Sequence, residues 1–157
     1  MSYLEDTEIG KRRCLGSFTF TAEAIKAFAR KFDPQPFHLD EEAARKSLFG
    51  GLAASGWHTT AVYMKLLVAD ITRDVRERKA RGETVAPSGP SPGFTNLRWP
   101  RPVLAGDTIT YFFEATSTRP LASRPGWGIA FGKTEAFNQR GELVLSFENS
   151  VFLPRRS

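Results

Sequence analysis

Residues 32–40 read F-D-P-Q-P-F-H-L-D, which sets a carboxylate at Asp33 and an imidazole at His38 on a segment stiffened by Pro34 and Pro36. Each proline holds its own φ near about −65° and pushes the preceding residue, Asp33 or Gln35, out of the helical region, so the spacing predicts an extended, stiff bend. An extended chain advances roughly 3.3 Å per residue, so the two side chains can converge on one small molecule such as water if the loop curls. A carboxylate beside an imidazole suits proton transfer near neutral pH. Histidine titrates there, and partial burial is expected to raise the Asp33 pKa toward that range. The same D-x-x-x-x-H spacing also arises where an aspartate caps a turn and a histidine is a satisfied structural residue, so the neighbouring segments must decide.

Residues 50–56, G-G-L-A-A-S-G, bring the chain into a long apolar helix through small residues only. The first turn of a helix has unpaired N–H groups and a partial positive charge, and a glycine there lets a substrate carbonyl approach the backbone. A carbonyl oxygen that becomes enolate-like during reaction would gain about 3 kcal/mol from each fixed donor. The Gly56 amide is the expected donor. Small residues at this place equally permit close packing of helix on sheet.

The elements that must position these groups follow from periodicity. Residues 13–20 alternate weakly as a first strand, and Thr21 opens a helix over 22–32. Asp40 is placed to cap a short helix, E-E-A-A-R-K, that stops near Gly50-Gly51. Trp57, Ala61, Met64, Val68 and Ile71 recur at steps of four and three, with Val62, Leu66 and Leu67 widening the stripe, which predicts a long, mostly buried helix over 52–71. His58, Lys65 and Asp70 interrupt it, so it is not expected to span a membrane. Residues 82–93 form a Pro/Gly/Ser-rich loop expected to be mobile at the surface. After it, 94–99, 109–116, 129–135 and 143–147 alternate as strands, giving an α+β layer pair in which an antiparallel sheet wraps around the helix.

Composition narrows the function. The chain has 157 residues, 41% of them hydrophobic and 25% charged, with 13 Phe, as expected of one globular domain over 1–157 with aromatic packing on a sheet. Cys14 is alone, so no disulfide forms within the chain, and the acidic start without an apolar stretch argues against a secretory signal. Cytoplasm is the expected compartment. The net charge of +5 is partly a run at 73–81, where five basic residues face two acidic ones. No nucleic-acid motif accompanies it, so the run suits a solvated helix end or a small phosphate-bearing polyanion. Gly128, Gly132, Lys133 and Thr134 imitate a phosphate loop, but alternation places them in a strand. With two His and one Cys, no zinc pattern occurs, and no G-x-S-x-G elbow is present.

The combination D-x-Q-P-x-H-x-D at residues 33–40, the glycine pair before A-A-S-G, and P-V-L-A-G-D at 102–107 resembles the MaoC-like, (R)-specific enoyl-CoA hydratases of the hot-dog fold. The resemblance covers most of the chain and implies a sheet wrapped around a central helix, in a homodimer or larger homo-oligomer with the acyl-thioester site near the subunit interface. It implies Asp33 and His38 as the pair holding an attacking water and the Gly56 amide as oxyanion donor, with Gln35, Pro36, Ser55 and Trp57 contacting substrate. The implied substrate is an enoyl thioester on CoA or an acyl carrier, with no metal, redox cofactor, nucleic acid or membrane partner. The family usually has Asn in place of Gln35 and His in place of Ser55; the latter departure also suits a non-catalytic thioester-binding or partner-subunit module. A thioesterase is a third reading. Trp57 and Trp99 either narrow the acyl pocket or pack the core, and Arg98 is a candidate reader of a substrate carboxylate.

Overall fold

The computed structural model describes residues 3–87 and 89–156; Met1, Ser2, Ser88 and Ser157 lie outside, so the expectations for the extreme ends and for residue 88 of the Pro/Gly-rich loop fall beyond it. After a 3-10 turn at Leu4–Asp6 come β1 (Arg12–Thr19), α1 (Ala22–Phe32), α2 (Pro36–Leu39), α3 (Glu41–Arg45), α4 (Gly56–Ala80), β2 (Gly93–Arg98), β3 (Thr108–Pro120), β4 (Trp127–Phe137) and β5 (Leu143–Pro154). The strands form one sheet in the order β1-β3-β4-β5-β2, with every neighbouring pair antiparallel. Alternation sets the faces: Ile109, Tyr111, Ala136, Leu145 and Phe147 turn toward the helices and join Val62, Tyr63, Phe20 and Ile25 in the core. The caps are as expected, with the Thr21 hydroxyl accepting from Ala24 N at 3.1 Å and the Asp40 carboxylate from Ala43 N at 2.7 Å.

Two expectations about the central helix are corrected. It runs from Gly56 to Ala80, starting later and ending further on than residues 52–71. Residues 52–54 are held instead in an extended segment, bridged antiparallel from Ala53 to Leu104. The stripe read as buried is so only in part: Val62 lies in the core with Leu66 and Leu67 packed against it, but the line through Trp57, Met64 and Val68 faces outward. Trp57, Met64 and Val68 are each 52% exposed, whereas His58, Thr59, Val62, Tyr63 and Asp70 face the sheet. Polar residues are tolerated there because each packs or pairs: the Tyr111 hydroxyl donates to Thr59 O at 2.9 Å, and Asp70 accepts from Arg13 and Arg73.

The expected mobile loop is anchored on either side of residue 88, at Ala86 and at 89–90. Ala86 is buried, Phe152 N donates to Pro90 O at 3.0 Å, and a Cβ at Gly89 would lie 1.7 Å from Phe152 O, so residues 89–90 lie directly on β5.

Candidate active site

α1 ends at Phe32, and Asp33 follows as its C-cap at φ −154°, ψ 69°, with its N–H still donating to Ala29 O at 2.9 Å. Gln35 is extended, as the two prolines require. The expected extended bend stops there. Pro36 is the first residue of the single helical turn α2, because a proline lacks the N–H that a first helical position does not use and its φ is already helical. That turn carries His38 back toward Asp33 and brings His38 Nε2 to 3.4 Å from Asp33 Oδ2.

The other ring nitrogen is fixed: His38 Nδ1 lies 2.6 Å from Ala53 O. A carbonyl only accepts, so Nδ1 carries the hydrogen and Nε2 of the neutral ring presents its lone pair to the Asp33 carboxylate. Two acceptors then face each other, and a water donating one hydrogen to each satisfies both while keeping its own lone pair free. Asp33 is further held by Gln35 Nε2, which donates to Oδ1 at 2.7 Å, and by the Ser55 hydroxyl. Burial alone would raise the Asp33 pKa, but the hydrogen bonds from Ser55 and Gln35, and the positive charge His38 carries when protonated, outweigh burial and hold it below the ordinary value. The upward shift expected from the sequence is therefore reversed, and Asp33 is a ready carboxylate at neutral pH.

The support behind His38 was not read from the sequence. Ala53 N donates to Phe37 O at 3.4 Å, Ala54 N to Val103 O at 2.8 Å, and Ala105 N to Leu52 O at 2.9 Å, so 102–105 grips the segment that carries the acceptor carbonyl. That loop is closed by buried Asp107, which accepts from Leu104 N at 2.9 Å and from Gln139 Nε2 at 2.7 Å. The string P-V-L-A-G-D was its signal; its part is to hold a carbonyl against an imidazole.

Ser55 is buried and caps α4, its Oγ accepting from Trp57 N at 3.2 Å. Gly56 is the first helical residue, whose N–H has no partner within the helix. The close approach that requires glycine here is made by protein: a Cβ at residue 56 would lie 2.5 Å from the Trp99 ring. The structure thus brings Asp33, Gln35, His38 and Ser55 together, with Gly56 next in chain; Pro36 acts by starting the turn. Trp57 stands at the surface, edge-on to Trp99 at 5.2 Å and 78°. Arg98 is exposed on β2. His58 is a core residue, stacked on Phe28 at 4.5 Å and 5°, and burial pushes its pKa down to about 4. Two open concavities, about 620 and 280 Å³, are lined by β2, β4 and β5 residues such as Phe94, Lys133 and Glu148, and neither includes Asp33, His38 or Gly56.

Comparison with known proteins places this geometry. A family model described as the MaoC like domain matches residues 6–124. The crystal structure of a MaoC-like dehydratase from Rhodospirillum rubrum is 41% identical with a TM-score of 0.82, covering 100% of this chain and 99% of that one. An (R)-hydratase from A. caviae involved in PHA biosynthesis is 27% identical with a TM-score of 0.69, over 96% of this chain and 99% of that one. The uncharacterized protein YdeM of Bacillus subtilis (strain 168) is 29% identical over 152 residues, 97% of this chain and 99% of its own.

Proposed function

The chain belongs to the MaoC-like domain family, with the family's hot-dog pairing of sheet and helix, and we propose that it reversibly hydrates a trans-2-enoyl thioester to a 3-hydroxyacyl thioester. The observation that carries this reading is the couple itself: His38 Nε2 at 3.4 Å from Asp33 Oδ2, with Nδ1 committed to Ala53 O. Water held between them points its free lone pair at C3. As the O–C3 bond forms, Asp33 takes a proton from the water, and the C2=C3 electrons move toward the thioester oxygen, which the Gly56 N–H receives. The proton that Asp33 took is then returned to C2, with His38 taking part in its delivery, so one water is added across C2 and C3 and both side chains end as they began. Every bond change is a proton transfer or a water addition, so the reaction calls for no metal and no redox cofactor. The carrier is CoA or an acyl carrier protein. The likeness to an (R)-hydratase supports this assignment.

The acting unit is proposed to be a homodimer. Neither of those two concavities of the single chain reaches the couple, and the exposed stripe Trp57, Met64 and Val68 starts beside Gly56, so a second copy laid on that stripe supplies the missing wall.

Crotonyl-CoA tests the chemistry. Loss of enoyl absorbance with the thioester retained is expected; release of free thiol means hydrolysis instead, and no change means a binding module. Asp33→Asn keeps the shape and removes the base, so turnover should fall by at least ~100-fold. Near-normal turnover in that variant refutes the assignment of Asp33.

A further inference from the structure

The hydrogen bond to Ala53 is not the whole support of His38. Phe37 meets the imidazole edge-on at 4.6 Å and 82°, and Phe49 lies nearly parallel to it at 6.1 Å and 26°. Phe37 and Phe49 in turn meet edge-on at 5.2 Å and 71°, so the three rings close a triangle. Phe37 packs against the core, whereas Phe49 is half-buried and comes from outside the helices. A tight turn delivers it. The Ser47 hydroxyl donates to Ala44 O at 2.7 Å and accepts from Phe49 N at 3.1 Å, and Gly50 N donates to Ser47 O at 3.2 Å. Leu48 is left fully exposed at the corner while Phe49 turns inward. Gly50 then takes a positive φ of 69°, which reverses the chain into residues 51–53. Three residues later Ala53 O meets His38 Nδ1 at 2.6 Å. One short segment therefore supplies both the carbonyl that receives the imidazole N–H and the ring that lies along its face.

The two supports do different things. The last torsion of a histidine side chain is broad, and a single N–H···O bond tolerates tilt, so the bond to Ala53 fixes where Nδ1 sits more firmly than it fixes the plane of the ring. Nε2 has no donor or acceptor bond of its own to correct that tilt, because it faces the Asp33 carboxylate as a second acceptor. We propose that Phe49 is a positioning residue that fixes the plane of the His38 imidazole, so that the Nε2 lone pair stays aimed at the water shared with Asp33. This rests on the hydratase reading above, which supplies the water. Phe49 meets no reacting atom in this role and acts through His38, while its contact with Phe37 keeps its own ring from swinging away.

The test compares the full wild-type chain with Phe49→Ala, Phe49→Leu and Phe49→Tyr. The chain has two histidines, so imidazole nitrogen resonances are assigned with the single variant His58→Phe. With the rings neutral, wild-type His38 should show one tautomer, protonated at Nδ1. Phe49→Ala should give averaged nitrogen shifts from a ring no longer held, and kcat on crotonyl-CoA should fall by at least ~10-fold with KM changed by less than ~3-fold. Phe49→Tyr keeps the flat face and should keep both the tautomer and kcat. Phe49→Leu keeps apolar bulk without a flat face; it should resemble Phe49→Ala, and it carries the test if the alanine variant fails to fold. In an active enzyme the loss of kcat and the change in nitrogen shifts must appear together, and either one alone overturns the proposal, as does a folded alanine or leucine variant that has lost only thermal stability. If the wild-type chain turns over no enoyl thioester, the hydratase reading fails, and the nitrogen shifts alone decide whether Phe49 holds the ring.

Discussion

At the scale of single residues, the two members of the proposed couple are held by different means. His38 is oriented by a backbone carbonyl, Asp33 by Gln35 and Ser55. The Asp33 pKa lies below its ordinary value of 3.8, so its protonation should not limit activity until the pH falls below that value. Measured as kcat/KM on crotonyl-CoA, the acid limb assigned to Asp33 therefore falls below the ordinary carboxylate range. Ser55→Ala removes one of the donors that lower this pKa. The limb should then move to higher pH in the variant, with the plateau rate also reduced. A role limited to capping α4 predicts a less stable protein whose limb stays where it was, so the pH profile separates positioning from packing. Gln35 reaches Oδ1 at 2.7 Å because the extended backbone between the two prolines turns its side chain back onto Asp33.

At the scale of elements, α4 determines what could and could not be read in the sequence. Periodicity located the helix, and Val62, Leu66 and Leu67 pack on the core as expected, but the line through Trp57, Met64 and Val68 was assigned to the wrong side. The inward side carries His58, Thr59 and Asp70, whose burial depends on partners far away in sequence: Phe28, Tyr111 and Arg13. Hydropathy weighs each residue without those partners. The strands, the caps at Thr21 and Asp40, and the couple at 33 and 38 were legible because each rests on local rules of alternation, capping and proline geometry. The grip of 102–105 on Ala53 was not, because it joins segments about fifty residues apart. Two predictions belong at this scale. His58 has a folded pKa of about 4 against an ordinary 6.5, so the unfolded chain binds its proton first on acidification. Stability is then complete above the ordinary value and declines as pH falls from 6.5 toward 4. Urea midpoints across that window should fall for the wild-type chain and fall less for His58→Phe, which keeps a ring against Phe28 without a titrating group. An equal slope in both proteins excludes His58 as the source. The second concerns Gly56. Gly56→Ala drives a methyl into the Trp99 ring and should destabilise the protein by about 1–3 kcal/mol, as overpacking does. In a Trp99→Ala background the same change should cost almost nothing, and a double-mutant cycle without that coupling shows that the ring moves aside freely.

At the scale of the whole molecule, the question is what the misassigned stripe is for. Trp57, Met64 and Val68 form an apolar line along the outer side of α4, and Phe94 on β2 and Trp99 just after it are also exposed. Isolated exposed apolar residues are ordinary, but a contiguous line of them marks an interaction surface. The charge of the chain does not serve the same end. Much of the basic run is already paired, Arg73 with Asp70, Arg78 with Asp74 and Arg81 with Glu83. The run also lies about 30 Å along the helix from Gly56, too far to hold the carrier of a thioester bound at that end of the same chain. A second copy is the occupant we propose for the stripe, and a stable pairing should cover roughly 800 Å² on each copy. Light scattering of the wild-type chain should give twice the chain mass. Met64→Lys with Val68→Lys places two charges in the middle of the line without touching the face packed on the sheet, so circular dichroism should be unchanged while the mass halves. Because the second copy is also proposed to complete the wall around the couple, crotonyl-CoA turnover should fall with the mass and recover at protein concentrations that restore the pair. A folded monomer with full turnover would detach the stripe from the site and leave the couple complete within one chain.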